Sequence, residues 1–170
     1  MGNSINVDTT LVFQCAAILL SGLLAGLMYG YDCSIVKGLA KLPDEQYLQA
    51  FRSFNTTIQN PYFMISFLGS LLVLPVATWL SYHHYNSFTF YLLLSASLLY
   101  FIGVFGVTIG FNVPLNERLD NFPLLNATTD DISAVRKVFE KPWNSYHRIR
   151  TIASVISFLL AILSLVKQKI

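Results

Sequence analysis

"PYFMISFLGSLLVLPVATWLSYHHYNSFTFYLLLSASLLYFIGVFGVTIGFN", residues 61 to 112, is the stretch on which the fold turns. It holds no Asp, Glu, Lys or Arg, and the charge-free region reaches from Arg52 to Glu117. A water-exposed domain carries about 25% charged residues, whereas this chain has 12%, with 54% hydrophobic and 14% aromatic. A membrane span needs about 20 apolar residues, so the stretch accommodates two spans joined by the tight, uncharged turn "HHYNS". The chain therefore reads as an integral, multi-pass membrane protein, in the cell membrane if its source is bacterial.

Working outward, a further span precedes this pair and another follows it. "TLVFQCAAILLSGLLAGLMYG" predicts the first, residues 10–30. The second is 61–82, with Pro61 suited to the first helical position, and the third is 87–111. The fourth is 142–166; its purely apolar part, "TIASVISFLLAILSLV", is short, so the polar turns before it belong to the same helix. The expected fold is all-α: one domain over 1–170, a four-transmembrane-helix bundle. An even number of spans puts both termini and the "HHYNS" turn on one side, here called near, and the connections 31–60 and 112–141 on the other, far, side. Each connection predicts a short amphipathic helix. In the first, Asp44 and Glu45 suit an opening turn, and Tyr47, Leu48, Phe51, Phe54 and Ile58 share a stripe. In the second, Thr128 and Asp131 have capping-box spacing, and Ile132, Val135 and Phe139 form the stripe. Both are expected to lie as a lid over the bundle mouth.

Of the 11 Lys and Arg residues only Lys167 and Lys169 are on the near side, so the positive-inside rule puts the far side in the cytoplasm. Two sequons at Asn55 and Asn126 are also on the far side and argue the reverse in a eukaryotic secretory membrane; the charge count is preferred. A net charge of +2 is too weak for a nucleic-acid partner. Cys15 and Cys33 sit about 27 Å apart on a continuous helix, too far for a bridge. His83, His84 and His147 have no metal-ligand spacing, and no metal is expected. The N-terminal "MGNSINVDTT" lacks the basic residues of a signal peptide. Asn6 stands where N-myristoylation of Gly2 needs Ser or Thr.

Three clusters bear on function. Gly22, Gly26 and Gly30 repeat every four residues, which permits close helix approach inside the bundle or in a homo-oligomer; Gln14 in the same span reads as a bond to a neighbouring helix. In "GFNVPLNERLD", Asn112 and Asn116 share one helical face beside Pro114; alone, the pair reads as a kinked, capped helix end. In "KPWNSYHRIRTIAS", Trp143, His147, Arg150 and Ser154 form one continuous face, with Thr151 beside them. An arginine inside a span costs about 2.5–3.5 kcal/mol at mid-helix unless it pairs or snorkels. Its neighbours on the face make a pocket wall rather than a lipid face. Asp32, Gln59 and Asn60 emerge at the same level, so all four spans bring polar groups to one far-side mouth.

"VKGLAKLPDEQYLQAFRSFNTTIQNPYF", then "GFNVPLNERLD", then the run from Trp143 through "HRIRT" resemble the anthrone oxygenase-like family of small four-span membrane proteins. The resemblance covers about residues 26–161. It implies oxidation of anthrones to anthraquinones by molecular oxygen with no cofactor. Such chemistry needs a base and donors for an oxyanion. On side-chain chemistry the base is His147 or Asp32, the donors are Arg150, Asn112 and Asn116, and Trp143 is a flat wall for an aromatic substrate; Thr151, Gln59 and Asn60 complete the binding set. Three readings fit: such an oxygenase, a non-enzymatic binder of lipid or a quinone-like small molecule, and a structural bundle or assembly partner. A transporter lacks its inverted halves and midplane ion pair.

Overall fold

A backbone crossing lipid has no water to bond, so its N–H and C=O groups must pair within the segment, and helices satisfy that. The computed structural model describes residues 3–84 and 86–167, with side chains described for 9–82 and 86–167. Tyr85 in the tight turn, the near-side Lys169 and the N-terminal Gly2 lie outside the described residues, as do the side chains of Asn6, His83 and His84. Among the described residues there are helices and no strands.

Helix α1 occupies 3–39: Asn3–Gly30 is α-helical, Tyr31–Ile35 is π-helical and Val36–Leu39 ends it. Helix α2 is Asp44–Thr57 and α3 is Pro61–His84. Helix α4 occupies 87–120, with π-helical turns at Tyr100–Gly106 and Thr108–Asn112. Helix α5 is Thr129–Lys167. Four of the five, α2 excepted, are long and apolar enough to cross a membrane.

Local chemistry sets the starts. The Asn60 side chain accepts from Phe63 N (3.1 Å) and that of Asn86 from Thr89 N (2.8 Å), capping α3 and α4. Thr128 and Asp131 bond each other reciprocally, Asp131 N to Thr128 Oγ1 at 3.2 Å and Thr128 N to Asp131 Oδ2 at 3.1 Å, the expected capping box.

The ends depart from expectation. The fourth span does not begin at Pro142: α5 starts at Thr129 and carries Pro142 in its interior, so the second amphipathic segment is the first part of the spanning helix itself. An interior proline loses a backbone bond and crowds the preceding turn. The packing on either side of it offsets that cost: Phe139 and Trp143 both meet the Phe51 ring edge-to-face, at 4.7 and 4.6 Å. The third span likewise runs on from Phe111 through Pro114 to Asp120, and the first continues past Gly30 to Leu39. In both, π-helical turns carry the helix through the place where the composition turns polar.

Around the bundle, α1 packs on α3 and α5, and α4 closes the ring against the same two helices. Two apolar cores result. One lies within the membrane around Leu24, Phe67, Leu74, Leu93, Tyr100 and Val104. The other joins α2 to the far-side ends of α4 and α5 around Tyr47, Leu48, Phe51, Leu119, Ile132 and Trp143. Arg136 fastens this lid. It donates to Leu42 O (2.7 Å), Ala40 O (3.0 Å), Asp44 (2.8 Å) and Glu140 (2.8 Å), and lies 4.3 Å over the Tyr47 ring. Burial there pushes the Tyr47 phenol well above its usual pKa. Arg52 donates to the carbonyls of Leu119 and Phe122, closing the end of α4.

Within the membrane, hydroxyls and amides tie the helices together: Thr78 to Ser97 (2.8 Å), Ser157 to Ala96 O (2.8 Å) and Gln14 to Ser164 (3.5 Å). Of the glycine stripe, Gly22 is packed internally, since a Cβ there would lie 2.8 Å from Phe158. Gly26 and Gly30 have nothing within 4 Å of that position. The tightest approach is elsewhere: a Cβ on Gly103 would lie 2.7 Å from Ala153 Cβ, where α4 meets α5. Gly103→Val should therefore cost about 1–3 kcal/mol through overpacking. It should lower the thermal midpoint of the detergent-purified protein by several degrees, while Gly26→Val leaves the midpoint in place.

Candidate functional site

Three side chains of α5, spaced by one helical turn, form the inner wall of the far-side mouth. Trp143, His147 and Arg150 are 3, 1 and 8% exposed. The His147 ring stacks on the Trp143 indole (centroids 5.0 Å, planes 16° apart) and meets the Tyr31 ring edge-on at 5.2 Å. Arg150 Nε donates to His147 Nδ1 (3.1 Å) and Nη1 to Thr108 Oγ1 (3.3 Å), and the guanidinium lies 5.1 Å from the indole centroid. No carboxylate lies within 4.0 Å of Arg150 among the described residues. Its Nη2 group and one Nη1 hydrogen are left without a protein acceptor there.

The arginine also decides which face of His147 is usable. A guanidinium donates and never accepts, so Nδ1 must hold a lone pair and the proton of the neutral imidazole sits on Nε2. That Nε2 is buried and the ring is enclosed against the backbone carbonyl of Met28, outside ordinary hydrogen-bond distance and angle limits.

The two asparagines of "FNVPLN" serve Trp143. Asn112, fully buried, donates from Nδ2 to the Trp143 carbonyl (3.3 Å). One turn on, Asn116 Oδ1 accepts from the indole Nε1 (2.7 Å), and Asn116 Nδ2 donates to Asn55 Oδ1 (2.7 Å). One residue of α5 is thus held at its backbone and its ring by one face of α4. Their spacing is what that grip requires.

In front of this wall lies a cavity of about 440 Å³, within the span of roughly 300–1,000 Å³ usual for small-molecule pockets. Leu27, Met28 and Tyr31 of α1, Phe54 and Asn55 of α2, Phe63, Met64 and Phe67 of α3, and Thr108, Ile109, Val113, Asn116, Glu117 and Asp120 of α4 line it with the α5 wall. Both Tyr31 and Thr108 sit in π-helical turns, which add a residue per turn and re-aim side chains, often at functional sites. Helix α4 packs on α3 through residues 87–106 and only marginally beyond, and the cavity occupies the gap where the two diverge.

Of the sequence-predicted site residues, the fold brings Gln59, Asn116, Trp143, His147 and Arg150 to the cavity. Four stand elsewhere. Asp32 is turned to Arg148, 3.9 Å away at the surface, so it faces away from the cavity it was expected to serve as base. Asn60 is the cap of α3, and Asn112 is spent on the Trp143 carbonyl. Thr151 bonds back to the His147 carbonyl at 2.8 Å and is not among the residues that line the space. His147 lines the cavity, yet the lone pair a base needs is engaged by Arg150. Sequence reasoning missed Tyr31, Asn55, Thr108 and Glu117. The π-helical turns that deliver Tyr31 and Thr108 leave no periodic signal, and Asn55 was read only as a sequon although it is 8% exposed. No group of three or more metal-ligating side chains occurs among the described residues.

Residues 59–160 match the anthrone oxygenase family. The chain belongs to the anthrone oxygenase family. No curated protein and no solved structure matches it. The matched segment of this anthrone oxygenase family member contains the α3, α4 and α5 walls, with Arg150, His147, Trp143 and Asn116, while Tyr31 and Asn55 lie before it.

The indole–amide bond should be measurable as a coupling. Trp143→Phe keeps the ring over His147 but deletes the N–H, and Asn116→Ala deletes its acceptor. In a double-mutant cycle of thermal or denaturant stability the two should be non-additive by about 1 kcal/mol.

Proposed function

We propose that the protein is a membrane-embedded, cofactor-independent oxygenase that converts a flat, hydrophobic aromatic ketone of the anthrone class to the corresponding quinone. The observation that carries the reading is Arg150, a buried guanidinium in the cavity wall with unused N–H groups and no carboxylate beside it. A cation so placed suits an oxygen on which negative charge develops. Family membership supports the same class of chemistry.

In this scheme the ketone oxygen lies against Arg150 and the Nε2–H of His147, with the ring plane along Trp143. The ring methylene opposite that oxygen then points toward the mouth. Glu117 and Asp120 are the cavity's carboxylates. Glu117 is the nearer of the two to Thr108, roughly 10–13 Å further along α4, and it is assigned as the base. It removes one methylene proton, and the electron pair delocalises onto the ketone oxygen as a phenolate held by the two donors. This electron-rich anion gives one electron to O2, and the radical pair joins through a new C–O bond. The resulting peroxide anion takes up the proton. Removal of the second C–H proton with cleavage of the O–O bond releases water and leaves the second carbonyl. One anthrone and one O2 become one anthraquinone and one water, with O2 as the oxidant. Access for such a ring from the bilayer is supplied by the gap between α3 and α4, bordered by Phe63, Met64, Ile109 and Val113.

Oxygen uptake by the detergent-purified protein with anthrone tests this. Uptake above the spontaneous rate is expected, with Arg150→Gln reducing kcat about 10²–10³-fold and Glu117→Gln about 10²-fold or more. Asp32→Asn should leave it unchanged. A wild-type rate equal to the spontaneous one, with the ring still bound, would instead mark the protein as a non-enzymatic binder.

A further inference from the structure

We infer that Asn55 is a ligand-reading residue whose unmatched amide N–H₂ is fixed beside the cavity by the relay Trp143–Asn116–Asn55, so that the site selects rings bearing an oxygen acceptor on the edge they present to α2. This rests on the cavity being the ligand site of the reading above, not on the oxidation chemistry.

The argument starts from a donor that has no choice. An indole nitrogen only donates, so the bond from Trp143 Nε1 forces Asn116 to turn its carbonyl oxygen there, at 2.7 Å. The Asn116 N–H₂ then faces Asn55, again at 2.7 Å, and Asn55 must answer with its own carbonyl oxygen. Asparagine O and N are ordinarily interchangeable in placement; here a chain anchored on a tryptophan sets both. What remains is the Asn55 N–H₂. It has no partner among the described residues, its residue is 8% exposed, and Asn55 lines the cavity.

A buried amide donor left unmatched is a cost, and of the six buried polar atoms without a partner among the described residues it is the one amide group whose residue lines the cavity. His147 borders the same space from α5, its N–H enclosed against the Met28 backbone carbonyl. With the free N–H groups of Arg150, the cavity presents unfilled donors from α2 and α5. A ring edge carrying lone pairs matches such a wall, whereas one carrying hydroxyl hydrogens directed outward does not.

The test compares two rings of one shape in the full-length, detergent-purified protein: anthraquinone, which carries acceptor oxygens and is not oxidised, and anthracene, which carries none. Binding is read from quenching of tryptophan fluorescence, Trp143 being one of only two tryptophans in the chain. Asn55→Asp keeps the acceptor for Asn116 and replaces the donor with an acceptor; Asn55→Ala removes both. Each is expected to weaken anthraquinone binding about tenfold or more while anthracene binds as in the wild type, which also shows that the variants are folded. Equal anthraquinone affinity in wild type and both variants would overturn the inference, as would parallel loss of both rings or a wild-type protein that binds neither. A wild type that prefers anthraquinone through Asn55 yet consumes no oxygen with anthrone would sustain this inference and sink the oxygenase reading.

Discussion

The grip on Trp143 is the constraint from which the rest of the site follows. Its carbonyl is taken by Asn112 and its indole N–H by Asn116, so α4 holds α5 at one residue by two bonds to different parts of it. The same ring meets Phe51 of α2 edge-to-face, which brings the far-side helix into register with both spans. With the indole immobilised, His147 has a surface to stack on and Arg150 a face to lie over. Loosening the tryptophan would therefore disturb the lid, the imidazole and the guanidinium together.

The electrostatic character of the cavity also follows. Arginine can only donate, so its bond to Nδ1 leaves His147 showing an N–H. Indole can only donate, so the amide chain beyond it ends in an N–H₂. Two donor-only groups thus polarise the inner wall in one direction. Acceptor character is supplied by the carboxylates of Glu117 and Asp120 further along α4 and by the Gln59 amide, whose N–H₂ is turned to the Asn55 backbone carbonyl. A site with donors at one end and carboxylates at the other suits a molecule that gathers negative charge on one atom while losing a proton at another.

The lid is continuous with the bundle rather than laid across it. Because α5 begins at Thr129 and passes through Pro142, the apolar stripe of its first turns is in line with the wall residues that follow. Arg136, near the start of that helix, reaches Leu42, Ala40 and Asp44. The connection after α1 is thereby pinned to the helix that carries the site. Capping of an outer loop and placement of the inner wall are consequences of a single rigid rod.

Much of this was legible in the residues themselves. The charge-free run from Arg52 to Glu117 reads as two spans and the apolar runs before and after it as two more, which together give an all-α bundle with a polar mouth on the side where Asn112, Asn116, His147 and Arg150 emerge. Helical spacing put Trp143, His147 and Arg150 on one face, because that relation is local and depends only on 3.6 residues per turn. Where helices end was not legible: Pro114 and Pro142 read as boundaries, yet packing against α2 and π-helical turns carried both helices through them. Nor was the division of labour among polar side chains. Asp32, Asn60 and Thr151 look as eligible as Asn55 or Tyr31 on paper, since type and spacing carry no record of direction. Which of them turn to a neighbour and which face the cavity was decided by contacts between residues as distant as Asn55, Asn116 and Trp143, and those exist only once α2, α4 and α5 are packed.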